Sequence, residues 1–230
     1  MYKKEFSNLN KMYDTHLYTG LLGALLKKNH FLMEKNHLHF KNKGNVKILE
    51  IGAGTHPHIN YVKHEYDSYD IIDLDANDEL TQIYKEKFHE NSKVNFKRYD
   101  GINIPFEDNT FDRCIISHCL EHIYRPHLFL EEMYRVIKKD GIISVALPTD
   151  PGLGWRIGRF IIKYFIQNKT YKLAPLEYDY VNALEHVNSI FNLRTIIKRN
   201  YNIFSETYFP FNLFKNLDIN LFYIVDIIKR

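Results

Sequence analysis

Val46-Lys47-Ile48-Leu49-Glu50-Ile51-Gly52-Ala53-Gly54-Thr55 is the stretch that decides the fold. Its first six residues are mostly aliphatic and have the length of a strand buried in a sheet; two glycines follow at once. Such a pair lets the backbone turn sharply and approach a ligand closely, because neither residue has a Cβ. The same grammar repeats outward from this point. Asp70–Leu74, Val94–Arg98, Asp112–His118 and Gly141–Leu147 read as four further strands. Helices are predicted after the glycines, over Glu79–Phe88, and over Pro126–Lys138, where Leu130, Met133, Val136 and Ile137 recur at helical spacing. Lys138-Lys139-Asp140-Gly141 is expected to close that last helix, with basic residues in the final turn and a glycine beyond. Strands alternating with helices predict an α/β chain built on a parallel sheet covered on both faces. Ile203–Phe209 and Ile219–Ile228 lack a helix-length gap between them, so an antiparallel pair is expected at one edge. Shorter helices are predicted over Leu17–Lys28, Leu153–Gln167 and Ile190–Lys198.

The length of 230 residues suits one domain with a full core. Hydrophobic residues at 45% and charged residues at 26% are ordinary globular proportions, which argues against disorder. The formal charge of +3 is small and its cations are scattered, so no nucleic-acid partner is expected. Only two cysteines, Cys114 and Cys119, are present, so no disulfide framework is predicted and a reducing cytoplasm is the expected compartment. The first residues do not read as a signal peptide. No apolar run approaches the roughly 18 residues of a membrane span; Lys163 interrupts the best of them. His37/His39 and His56/His58 lack the spacing of a metal site, and no metal is expected. Nothing in the sequence sets the oligomeric state.

In open parallel sheets ligands bind beyond the carboxyl ends of the strands. After the first strand come Gly52, Ala53 and Gly54; after the second, Asp73 and Asp75; after the third, Asp100 and Gly101; after the fourth, Ser117 and His118. An acidic residue at the second strand end can accept both hydrogen bonds of a ribose diol. The nicotinamide-dinucleotide fingerprint needs a third glycine three residues after the second, where this chain has Pro57. No Gly-Lys-Ser/Thr follows either, which excludes a phosphate-cradling P-loop.

Taken in order, five segments resemble the core of the class I S-adenosylmethionine-dependent methyltransferases, in particular their small-molecule branch. They are Ile48-Leu49-Glu50-Ile51-Gly52-Ala53-Gly54-Thr55, Ile72-Asp73-Leu74-Asp75, Ile104–Asp112, Cys119-Leu120-Glu121-His122 and Glu132–Gly141. The chain departs from the family where His56 stands in place of a third glycine. The resemblance implies a Rossmann-like, seven-stranded, mostly parallel sheet with helices on both faces. It implies a single domain over 1–230: a helical cap over 1–45, with Tyr13 or His16 near the cofactor, a cofactor-binding core over 46–150, an acceptor lid over 151–185, and a closing helix and strands over 186–230.

The resemblance also assigns roles. Gly52, Ala53 and Gly54 would line the methionine and ribose of S-adenosylmethionine, with Glu50 orienting the amino group. Asp73 would hold the ribose hydroxyls, Asp75 standing in if the strand ends later, and Leu74 would lie against adenine. Asp100, beside Gly101, would meet the adenine amino group, and Ser117 and His118 would face the transferable methyl. The acceptor is expected to be a small molecule with a hydroxyl or phosphate-like oxygen, anionic or sugar-related. An RNA substrate, or binding without turnover, is the alternative. Methyl transfer to a hydroxyl is helped by a base, and His118, His122 and His186 are the candidates. Arg156 and Arg159, with Lys163, would share one helix face and grip an anion, with Tyr178 and His186 bordering the acceptor.

Overall fold

In the computed structural model of the chain, residues 20–74, 78–161, 163–164 and 175–230 are described. Seven strands form one sheet: β1 (Lys47–Ile51), β2 (Ser68–Asp73), β3 (Val94–Arg98), β4 (Phe111–Ser117), β5 (Ile137–Pro148), β6 (Asn202–Phe209) and β7 (Phe222–Ile228). Their order is β3-β2-β1-β4-β5-β7-β6. β1 to β5 run parallel, and β7 pairs antiparallel with both β5 and β6. The expected seven-stranded Rossmann-like sheet with an antiparallel edge pair is what forms. The strand order reverses between β1 and β4, which places a crevice at their carboxyl ends.

Among the described residues six α-helices accompany the sheet: α1 (Gly20–Met33), α2 (Asp78–Phe88), α3 (Pro126–Val136), α4 (Leu153–Ile161), α5 (Pro175–Glu185) and α6 (Ile190–Asn200). Successive strand residues point to opposite faces, so Ile48 packs with Leu26, Met33 and Phe40, while Leu49 and Ile51 pack with α3 and α6. Pro126 opens α3, where a missing N–H costs nothing, and Ser189 caps α6 by accepting the Asn192 N–H at 3.2 Å. Among the described residues no helix is long and apolar enough to cross a membrane. Tyr13, His16 and Asp75 lie outside the described residues.

Two expectations are corrected. First, only a 3-10 turn, His58–Tyr61, follows the glycines of β1, where a helix was predicted. Pro57 is extended, and His58 is drawn into the core, so the segment is pinned before a helix can begin. Second, α3 ends at Val136, and Lys138–Gly141 belong to β5. Carbonyls at the end of α3 are taken by the approach to β4, through Asn109 N–H to Arg135 O and Thr110 N–H to Val136 O. Gly141 is required by close packing rather than as a helix cap: a Cβ there would lie 2.8 Å from Ile137 Cγ2 and 3.0 Å from Asp112 O.

The face left bare by the missing helix is covered by α1 and the 3-10 segment Glu34–Phe40. What fixes them is polar. Arg113, in the middle of β4, is fully buried and reaches Glu34 Oε1 at 2.6 Å, Met33 O at 3.1 Å and Ser144 Oγ at 3.3 Å. His58 Nε2 donates to the same Glu34 oxygen at 2.7 Å, and Lys63 N–H donates to Oε2 at 3.0 Å. Burial alone would raise the Glu34 pKa, but the His58 hydrogen bond and the Arg113 charge overcome it and hold it at about 2. Two residues further along the same segment, Asn36 Nδ2 donates to Asp226 Oδ2 of β7 at 2.6 Å.

Removing one partner of a buried ion pair strands the other charge. Glu34→Ala is expected to lower unfolding free energy by about 3–5 kcal/mol in urea titrations, whereas Glu34→Leu combined with Arg113→Met is expected to recover most of that loss.

Candidate active site

Residues at the ends of β1 to β5 and in the loop before α6 build the site. Gly52 (φ 66°), Gly54 (φ 51°) and Gly101 (φ 77°) all adopt the left-handed conformation that side chains resist. A Cβ on Gly52 would lie 2.5 Å from Cys119 Sγ, and one on Gly101 would lie 3.0 Å from Leu74 Cδ1. The β1 and β2 ends are tied together: Gly52 N–H donates to Ile72 O at 2.9 Å, Gly54 N–H to Asp73 Oδ2 at 3.0 Å, and Tyr84 OH to Gly54 O at 2.8 Å. Asp73 is nearly buried, while Leu74 beside it and Ile102 beyond Gly101 expose apolar surface. Asp100 folds its own loop, accepting from Ile102 N–H and Asn103 N–H at 2.8 Å each, and these bonds hold its carboxyl below the usual range.

Glu50 is engaged by the turn that follows this loop. Its carboxylate accepts from His58 N–H at 2.6 Å and Tyr69 OH at 2.6 Å, which moors the turn after Pro57 to the sheet. Burial raises its pKa to about 7 against the pull of those hydrogen bonds.

At the end of β4, His118 takes a left-handed φ of 50°, a strained conformation for a residue with a Cβ. Its Nε2 lies 2.9 Å from Asn29 Nδ2 of α1; an amide nitrogen can only donate, so Nε2 accepts. Nδ1 faces Glu121 Oε1 at 3.7 Å. Both ring nitrogens of His118 therefore have neighbours within the protein. His122 Nδ1 donates to Glu185 O at 2.6 Å, and its ring stands 5.1 Å edge-on to that of His186. Asn188 Nδ2 clips the two loops together by donating to Ile123 O at 2.6 Å.

His186 meets the end of β5. Its Nδ1 lies 2.9 Å from Asp150 Oδ2, an ion-pair contact not aligned as a hydrogen bond. The indole of Trp155 is stacked at 6.5 Å. Burial works against the Asp150 charge, but His186 and Arg159 outweigh it and keep the carboxyl below its ordinary value. The three candidate histidines are thus brought to one rim, whereas the proposed cationic stripe is not a free one. Arg159 reaches Asp150 at 2.5 Å, Lys163 pairs with Asp179, and Arg156 is exposed. Tyr178 lies in α5, but its side chain is outside the described residues.

Around this rim sit four of the buried polar atoms that lack a hydrogen-bond partner among the described residues: Asn29 Oδ1, Ser117 Oγ, Glu121 Oε2 and Trp155 Nε1. Unsatisfied buried groups are costly, and their gathering at one place is the arrangement a polar ligand site requires. Sequence reasoning missed Asn29, Glu121 and Asp150. Asp150 was within reach of it, because the strand-end rule that picked Asp73 and Ser117 applies equally to the end of the fifth strand. Among the described residues no cluster of His, Cys, Asp and Glu could hold a metal ion.

Residues 49–145 match the family model described as a methyltransferase domain. A demethylmenaquinone methyltransferase of Geobacillus sp. (strain WCH70) is 31% identical over 121 residues, which is 51% of this chain and 52% of that protein. The chain thus matches about half the length of that relative. Among solved structures, a SAM-dependent methyltransferase from Aquifex aeolicus superposes with a TM-score of 0.57 at 18% identity, covering 90% of this chain and 98% of that one. The [4+2]-cyclase SpnF superposes with a TM-score of 0.63 at 14% identity, covering 92% and 83%. At such identities the likeness speaks for the fold alone.

Because Glu50 titrates higher in the fold than in the unfolded chain, its contribution to stability is fully present below about pH 4.5 and is lost as pH rises through 7. His30, with a pKa lowered to about 2 by burial and its histidine neighbours, acts in the opposite sense, so the comparison has to be with a variant. Relative to wild type, Glu50→Gln is expected to gain stability between pH 5 and pH 8, by on the order of 3 kcal/mol, in urea titrations at the two pH values.

Proposed function

The core of this chain belongs to the class I S-adenosylmethionine-dependent methyltransferases, and on that premise we propose that the chain transfers a methyl group from S-adenosylmethionine to a hydroxyl oxygen of a small molecule. The observation that carries this reading is the ring of unpartnered polar atoms beside the glycine loop, at the switch point of the sheet. The residues present fit the cofactor. Gly52 and Gly101 leave space where a Cβ would collide, Gly54 takes a left-handed turn with open space beside it, Asp73 stands at the second strand end, and Leu74 offers apolar surface for a base. Asp73 would hold the ribose hydroxyls, Asp100 and Gly101 the adenine edge, and Ser117 Oγ the methionine portion. When bound, S-adenosylmethionine supplies a methyl group on a sulfonium, already activated, so no covalent intermediate on the protein is required.

The protein's part is to align, to exclude water and to take a proton. His186 is the base this geometry favours. With Nδ1 toward Asp150, its Nε2 carries the lone pair that accepts the acceptor hydroxyl proton, and the Asp150 charge stabilises the imidazolium that results. The loose alignment of this pair is common before a substrate closes a site. His118, held between Asn29 and Glu121, serves to position rather than to accept a proton. Trp155 Nε1 offers a donor to the acceptor molecule. An anion-gripping role is retained only for Arg156, since Arg159 is engaged with Asp150.

Calorimetric titration with S-adenosylmethionine, S-adenosylhomocysteine and NAD tests the reading. The two sulfur compounds are expected to bind, and Asp73→Asn, which keeps an acceptor for the Gly54 N–H, should weaken them by one to two orders of magnitude, since a hydrogen bond to a charged group contributes about 1.5–3 kcal/mol. Binding of NAD alone would sink the assignment. In a panel of hydroxylated small molecules scored by release of S-adenosylhomocysteine, His186→Ala is expected to reduce kcat by about 10²–10⁴ with cofactor affinity unchanged.

A further inference from the structure

α4 has a large apolar face and buries none of its residues. At 3.6 residues per turn, Leu153, Ile157, Phe160 and Ile161 fall within an arc of about 100°, and all four are roughly half exposed. Arg156 and Arg159 lie on the adjoining face. A helix with this division, whose apolar side buries no residue and among the described residues carries a ring contact between Phe160 and Tyr164, has the pattern of one that lies in a membrane interface.

A second element extends the surface. Between β6 and β7, Phe211 is half exposed, Leu213 is 93% exposed and Phe214 63% exposed. These side chains are presented by a built loop. The buried Asn220 accepts the Phe211 N–H at 2.7 Å and donates from Nδ2 to Phe214 O at 2.9 Å and Asn216 O at 2.8 Å. Asp218 joins the loop to α4, its carbonyl accepting the Gly154 N–H at 2.6 Å and its carboxylate the Leu153 N–H at 3.3 Å. Because Phe222 pairs with Pro148, both elements stand at the carboxyl edge of β5, beside Asp150 and His186.

We propose that the apolar face of α4 and the 211–214 loop together dock this chain on the surface of an anionic lipid bilayer. The charges beside the patch favour that occupant. Arg159 and Lys163 are matched by Asp150 and Asp179, whereas no carboxylate among the described residues pairs with Arg156 or with Lys215, which follows Phe214. Those two cations are placed to meet lipid phosphates while Ile157, Phe160, Leu213 and Phe214 enter the acyl boundary. A twofold contact with a second copy would instead bring the same basic flank against itself. The orientation turns the His186 rim toward the lipid, so the acceptor of the proposed transfer is an amphiphile drawn from the bilayer. That corollary rests on the proposed function; the docking does not.

Co-sedimentation of the full chain with vesicles of phosphatidylcholine alone, and of phosphatidylcholine mixed with phosphatidylglycerol, tests the proposal. Preferential partitioning onto the mixed vesicles is expected, weakened by salt. Ile157→Asp and the pair Leu213→Ser with Phe214→Ser should each reduce it by about tenfold or more, with melting temperature and S-adenosylhomocysteine binding unchanged. Absence of partitioning, equal partitioning onto both vesicles, or variants that partition like wild type would overturn it. So would sedimentation velocity showing a dimer that the same variants dissociate, without vesicle binding.

Discussion

The seating of the N-terminal segment against the sheet depends on a guanidinium in the middle of that sheet. A bare Arg113 in β4 would be intolerable, and its burial is possible because Glu34 arrives from the N-terminal segment with a carboxylate, His58 and Met33 completing the shell. The demand runs both ways. Glu34 needs β4, and β4 needs the segment that carries Glu34, so the N-terminal part of the chain covers this face in place of the helix absent after β1. The tautomers follow: a carboxylate only accepts, so neutral His58 donates from Nε2, and its Nδ1 then accepts a hydrogen bond from the His30 Nδ1–H at 2.9 Å. One residue before His30, Asn29 touches His118. The polar core and the candidate site are therefore tied to neighbouring residues of α1, His30 on one side and Asn29 on the other.

The site itself is made of backbone as much as of side chains. Three left-handed glycines and a left-handed His118 ring the switch point, and each turn is held by a hydrogen bond from a neighbouring strand end. The chemistry proposed for it asks for little covalent machinery, which agrees with a rim whose polar atoms are positioned but unpaired. Cys119 fits the same economy. Its Sγ fills the volume that a side chain on Gly52 would need, so the glycine loop and the β4 loop define one another's shape.

What was legible in the sequence was local or periodic. The glycine pair, the acid at the second strand end and the five parallel strands are written in runs of a few residues, and the antiparallel edge pair follows from a gap too short for a helix. What was not legible depends on long-range pairing. Glu34 and Arg113 are 79 residues apart, and nothing near either residue announces the other. The 3-10 turn at His58 overrode a helix prediction because burial of that imidazole is decided by Glu34. The start of β5 was read as a helix end because Lys-Lys-Asp-Gly has that composition, whereas packing against Asp112 decides the matter. In α4 attention went to the arginines, and the partners Asp150 and Asp179 that occupy Arg159 and Lys163 could not be read from helical spacing.

The contact between Asn36 and Asp226 spans 190 residues and joins the first covered segment of the fold to its last strand. During synthesis the chain emerges in order, so Glu34 and Asn36 leave the ribosome long before β7 exists to receive them. Until then Asn36 has no Asp226 to donate to, and the segment is held from the β4 side alone, through Glu34 and Arg113. A chain arrested or clipped before Asp226 would keep its glycine loop and its second strand end, yet would present the exposed apolar face by which chaperones and proteases recognise an unfinished protein.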